Sequence, residues 1–304
     1  MSDNIEFLAC RLPASINAFG TTEILASPLG RYRPVIVAWD HEMSSGTQPD
    51  SKPEDHAASV QKILNAIQNG EVEKVVLSRV KTHRWPALDP VLAYTQLKSA
   101  YGEAFVFLIR HPNFGMWLGA TPELLLFRKG KMCRTMALAG TRSAGATGPW
   151  SNKLIDEQLV VTRFIEDTLA EAGATNIRLG PRYDWPAGKI VHLRTDITFE
   201  WNAGSDVLLK ILHPTPAVCG YPRHEAAAMI RRVEQHKRKL YAGYSGVIDT
   251  EGDEELYFVN LRCMQLRGNE AELFAGGGIN SGSDPNSEWN ETEQKLETLI
   301  NVIR

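Results

Sequence analysis

Between Ala104 and Gly130 three runs, AFVFLIRH, GMWLGAT and ELLLFRKG, follow one another with only short connections between them. Each is a short apolar run bounded by turn residues and reads as a strand. HPNFG turns the chain between the first two, and RKGK turns it after the third. GRYRPVIVAW, EKVVLSRVKTHRW, KIVHLRTDITFEW, YSGVID, EELYFVNLRCMQL and AELFAGG add further strands, with TEGD joining YSGVID to its successor. Strands thus come in runs and do not alternate one for one with helices. That pattern predicts an α+β architecture of antiparallel sheets with helices packed outside.

The helices are legible from their period and punctuation. After the turn-rich SSGTQPDSKP, the apolar residues Val60, Ile63, Leu64 and Ile67 recur at helical spacing until Asn69-Gly70 stops them. Asp89-Pro90 opens a second helix with a capping residue and a proline at the first helical position. Residues 152–172 carry Leu159, Val160, Phe164, Ile165 and Leu169 on one side. DVLLKILHP and RHEAAAMIRRVEQHKRKL read as helices on either side of TPAVCGYP, and a last helix closes the chain.

A chain of 304 residues with 43% hydrophobic residues can bury a large core, as one large or two medium domains. Its net charge of −3 gives no electrostatic basis for binding nucleic acid. Cys10, Cys133, Cys219 and Cys263 stand far apart with no CxxC pair, so they are expected to be reduced and buried. MSDNIEFLACRLPAS lacks a basic segment followed by an apolar run, and no stretch approaches the length of a membrane span. The expectation is a soluble cytoplasmic protein without a membrane partner.

The C-terminal segment SDPNSEWNETEQK holds the most pointed local pattern. Asp284 can cap and Pro285 sits at a first helical position. At about 100° per residue, Trp289, Leu296, Leu299, Ile300 and Ile303 share one face, while Asn290, Gln294, Glu297 and Asn301 share the opposite one. Glu288, Glu291 and Lys295 lie along the border between the two. Carboxylates at that spacing are neighbours and can converge on a hard cation. They can equally form a weak solvated ion pair with the lysine, and the helix alone leaves both readings open. AGGGIN lies just upstream, and glycines there would let backbone amides approach a ligand closely or simply form a tight bend.

GATPELLL, TMALAGTR, HPTPAVCGYP, YAGYSG, VNLRC and AGGGI followed by SDPNSEWNETEQK occur in that order. Together they resemble the chorismate-utilising enzymes, which include isochorismate, salicylate, anthranilate and aminodeoxychorismate synthases. The resemblance implies a sandwich of two antiparallel sheets with helices outside, the active site between the halves, and a magnesium-dependent reaction on chorismate. It divides the chain into a short N-terminal strand region, 1–52, and a chorismate-binding catalytic domain, 53–304. Members of this kind usually carry more sheet before the Lys74 motif, so the N-terminal part is expected to be trimmed. Oligomeric state is left open.

Residue by residue, the resemblance makes Glu123 of GATPELLL the general acid that protonates the departing ring hydroxyl. Lys74 of EKVVLSR matches the lysine base of the water-using members, where anthranilate synthases carry glutamine. Ala217 stands where ammonia-using enzymes place threonine, so both positions imply water as nucleophile and hence an isochorismate synthase. Salicylate synthase, which adds pyruvate elimination, is the alternative; a non-catalytic chorismate-binding relative is a third. Glu157, Glu288 and Glu291 match the magnesium carboxylates. Arg262 and Tyr241 match the grip on the pyruvyl carboxylate. Lys295 and the amides of Gly276, Gly277 and Gly278 match the side that meets the ring carboxylate. Gly140, Thr141 and His192 match pocket-lining positions. Two departures stand out: Leu154 occupies a position that is acidic in many members, and Gln158 one that is histidine. Relaxation there resembles isochorismate synthases of the menaquinone type more than the siderophore type.

Overall fold

The computed structural model describes residues 7–16, 21–39, 48–188 and 190–303. The first four residues of the predicted linker, 44–47, lie outside the described residues. Two eight-stranded antiparallel sheets form the body. The first runs Gly220–Tyr221, Lys74–Arg84, Glu270–Ile279, Cys263–Arg267, Gly115–Thr121, Phe105–His111, Phe7–Arg11 and Glu23–Ala26. The second runs Tyr183–Ala187, Ile190–Glu200, Met132–Ser143, Leu124–Lys129, Glu254–Val259, Tyr244–Asp249 and Tyr32–Val37, with Thr175–Leu179 also pairing to Ile190–Glu200.

The largest apolar cluster draws on both sheets. Phe105 of the first stacks on Phe258 of the second, centroids 4.4 Å apart and planes 5° from parallel. Gly119 is required beside it, because a methyl there would lie 2.5 Å from the Phe107 ring and 2.8 Å from Cys263 Cβ. Helices cover the outside. Pro53–Gln68 and Arg223–Val233 bury Val60, Ile63, Met229 and Ile230 against Val75 and Leu77. Pro90–Ala100 and the end of Pro285–Ile300 bury Leu97, Leu296 and Leu299 against Val106, Leu108, Leu118 and Met264. Asn152–Glu171 lies along Met132–Ser143. The four cysteines are free and buried. No helix among the described residues is long and apolar enough to cross a membrane.

Three local readings change. The helix opened by Arg223 stops at Val233, because Glu234 leaves it to bind the Ser78 amide (2.7 Å) and Arg238 (2.6 Å) between the strands. EELYFVNLRCMQL is two strands, broken at Asn260–Arg262, where Arg262 adopts a φ of +46°. Leu159 is 38% exposed; Val161 takes its place in the apolar face of Asn152–Glu171.

The break places the chain where it crosses from the second sheet to the first. Pro122-Glu123 is a crossing in the opposite direction, between Gly115–Thr121 and Leu124–Lys129. The two crossings run side by side. The Val259 amide donates to the Glu123 carbonyl and the Ala120 amide to the Arg262 carbonyl, each at 3.0 Å.

Candidate active site

Those crossings form one wall of a cavity between the sheets. Glu123, Gly140, Thr141, Glu157, His192, Ala217, Tyr241, Arg262, Gly276, Gly278 and Lys295 all line it. Lys74 stands with Glu157 on the side of the glycine strand that Gly278 faces, and Glu288 and Glu291 stand on the side that Gly277 faces. All of the residues singled out in the sequence are therefore brought to one region.

Glu123 is 3% exposed. Burial pushes its carboxyl up to about 8, against the opposing pull of Lys74, Arg262 and Lys295. It therefore holds a proton at neutral pH. Lys74, 1% exposed, starts its strand with its ammonium 3.2 Å from Glu157 Oε1. The strand register sets Gly278 opposite Val76 and Gly276 opposite Ser78. A methyl on Gly278 would lie 2.3 Å from Glu157 Oε1 and 2.8 Å from Lys74 Cε, so only glycine admits that ion pair.

Arg262 enters from the crossing. Burial pushes its guanidinium down to about 10, opposed by Tyr101, Tyr241 and Glu123. It contacts His192 Nε2, while His192 Nδ1 lies 3.0 Å from the Gly140 carbonyl and 3.2 Å from Thr141 Oγ1. Burial, then Arg262 and Lys295, hold His192 neutral. A proton on Nδ1, donated to Gly140, leaves Nε2 to accept from Arg262 and so aims the guanidinium. Tyr241, 3% exposed, stacks on Phe274. Its hydroxyl would be 2.8 Å from a methyl on Gly276. Gly140 has a φ of +73° and would bring a methyl within 3.0 Å of the Leu154 carbonyl, which fits the start of Asn152–Glu171 against the pocket.

On the closing helix, Asp284 accepts from the Ser287 amide as an N-cap. Lys295 donates to the Gly276 carbonyl (2.8 Å) and to Glu291 (2.7 Å). Glu288 is 1% exposed and its carboxyl is raised by burial and by Glu291. The residue that sequence reasoning missed is Lys153, whose ammonium contacts Glu288. Burial lowers the proton affinity of Lys153, but Glu288, Glu157 and Glu291 together raise it above the ordinary lysine value. The signal was its position one helical turn before Glu157.

The donor set suits a hard divalent cation. Glu288 Oε2 is buried without a hydrogen-bond partner, and a methyl on Gly277 would lie 3.2 Å from it and 3.9 Å from Glu291 Oε1. As they stand, no three His, Cys, Asp or Glu side chains among the described residues form a closed metal cage. Each carboxylate is instead held by a lysine: Glu157 by Lys74, Glu288 by Lys153 and Glu291 by Lys295. At one of the two departures from the family pattern, Gln158 bonds Thr162 (2.9 Å) and Thr195 (3.0 Å), tying helix to sheet.

Residues 37–304 match the family model described as chorismate binding enzyme. The chain belongs to the chorismate-binding enzyme family. It is similar to the isochorismate synthase EntC of Escherichia coli K12, 34% identical over 249 residues, covering 77% of this chain and 63% of that protein. The isochorismate synthase MenF of the same strain is 32% identical over 252 residues, covering 78% of this chain and 57% of its own. The solved structure of the E. coli menaquinone-specific isochorismate synthase MenF superposes with a TM-score of 0.75 at 27% identity, over 86% of this chain and 64% of that one. The chain thus spans less than two thirds of the length of these relatives. The two-sheet family fold expected from the sequence is the fold observed.

Proposed function

We propose that this protein is a cytoplasmic isochorismate synthase, an isomerase that converts chorismate to isochorismate with water as nucleophile. The observation that carries the reading is a buried carboxyl, protonated at neutral pH, in a cavity close enough to a buried lysine to feel its charge. Arg262 and Tyr241 hold the pyruvyl carboxylate, the arginine through its planar fork. Lys295 and the amides of Gly276, Gly277 and Gly278 face the ring carboxylate. As the neutral amine, Lys74 takes a proton from water as the water attacks the ring carbon beside the carboxylate-bearing carbon. Glu123 gives its proton to the hydroxyl that leaves. Ala217 offers no hydroxyl to hold ammonia. Magnesium would be held by Glu157, Glu288 and Glu291 and would supply positive charge for the ring carboxylate.

Gln158, spent on helix-to-sheet bonds, and Leu154, which carries no charge, support the menaquinone type over the siderophore type. Relatives of both kinds are named isochorismate synthases. The test is incubation with chorismate and magnesium followed by chromatography of the products. Isochorismate is expected. Release of pyruvate would convert the reading to salicylate synthase, and tight binding of unchanged chorismate to a non-catalytic relative. Lys74→Gln is expected to lower isochorismate formation by roughly 10²-fold or more; unchanged turnover in that variant removes Lys74 as the base.

A further inference from the structure

Burying a carboxylate without a compensating cation is expensive, and removing the partner of a buried pair is more damaging than removing both. Glu288 is in that position, with 1% of its side chain exposed and one oxygen without a hydrogen bond. Glu291 stands beside it over Gly277 and adds repulsion. The only cation the described residues bring to Glu288 within ion-pair distance is Lys153. Its charge interacts with all three carboxylates assigned to the metal. Lys153 also lines a groove with Lys74, Asp156, Glu157, Arg163 and Asn280 on its walls. That groove offers an ammonium somewhere to go: Asp156 lies three residues on, one turn along the same helix.

We infer that Lys153 is a placeholder for the divalent cation, neutralising Glu288 in the metal-free protein and swinging into the groove toward Asp156 when the metal arrives. The inference rests on the magnesium reading of Glu157, Glu288 and Glu291. Lys153 is then a positioning residue whose charge competes with the metal. It keeps the carboxylates gathered at the cost of weaker metal binding. A merely structural Lys153 predicts the opposite sign, since loosening Glu288 would weaken the site.

The experiment titrates magnesium into the full chain without chorismate, by calorimetry, and follows free manganese by its paramagnetic resonance signal as a second probe. Lys153→Met keeps the stem and removes the charge. It is expected to bind the metal roughly tenfold more tightly, since a positive charge that competes with the cation for a carboxylate pair has been removed. Lys153→Arg, which keeps the charge, should stay near the parent affinity. In chelator the methionine variant should melt below the parent, and added magnesium should raise its melting temperature by more. Equal or weaker metal binding by Lys153→Met, with the parent binding normally, overturns the inference alone. Absence of metal binding in the parent and both variants overturns the metal reading and the inference with it.

Discussion

Replacing Glu123 with glutamine tests the proton-donor assignment with little disturbance of shape, because the amide mimics the neutral acid. With its carboxyl at about 8, Glu123 is roughly nine-tenths protonated at pH 7, whereas at the ordinary value of 4.5 the fraction would be about 0.3%. Burial therefore supplies roughly 300-fold more acid at neutral pH. Glu123→Gln is expected to lower turnover on chorismate by ~10²–10⁴-fold. In the parent, the rate should fall about tenfold per pH unit above 8, because the donor must be protonated to act. The same shift acts on stability. A carboxyl whose folded value is raised stabilises the fold most below about 4.5, and that contribution is lost as pH rises toward 8. The glutamine variant has no such loss, so its stability relative to the parent should grow across that window, by on the order of 5 kcal/mol at most. Initial rates by product chromatography from pH 6 to 9.5, with urea unfolding from pH 4.5 to 9.5, measure both. A variant within tenfold of parental turnover, or a parental profile flat through pH 8, refutes the reasoning.

Gly278→Ala would put a methyl 2.3 Å from Glu157 Oε1 and 2.8 Å from Lys74 Cε, so the pair must part. About 10²-fold lower turnover and a lower melting temperature are expected, because a buried ion pair is parted, and Gly277→Ala, with its nearest atom at 3.2 Å, should be milder in both. Trp117 is fully buried within the cluster that joins the sheets, and Trp117→Ala should cost about 3–5 kcal/mol in urea unfolding.

The strands were legible because their apolar runs are short, punctuated and β-branched. The strip of Glu288, Glu291 and Lys295 was legible because helical spacing is regular and Asp284-Pro285 marks where it starts. What the sequence hid was decided by distant contacts. EQHKRKL has no helix breaker, yet Glu234 and Arg238 leave the helix for a buried network with Ser78 and the Val76 carbonyl. Arg262 takes a left-handed backbone without glycine's freedom, which no local pattern announces. The strands Thr175–Leu179 and Tyr183–Ala187 are short and largely exposed, so they carry little apolar signal. The roles of Lys74, Glu123 and Arg262 entered through the ordered motifs; burial and charge around each are what the structure adds.

Glu123 and Arg262 both sit where the chain passes from one sheet to the other, on segments bonded side by side. Neither sheet carries the site alone: the glycine strand and Lys74 belong to the first, Gly140, Thr141 and His192 to the second. No half-made or half-melted form of the chain can assemble the cavity. The cavity exists only while the two sheets stay together, so whatever loosens their contact opens it from both walls at once.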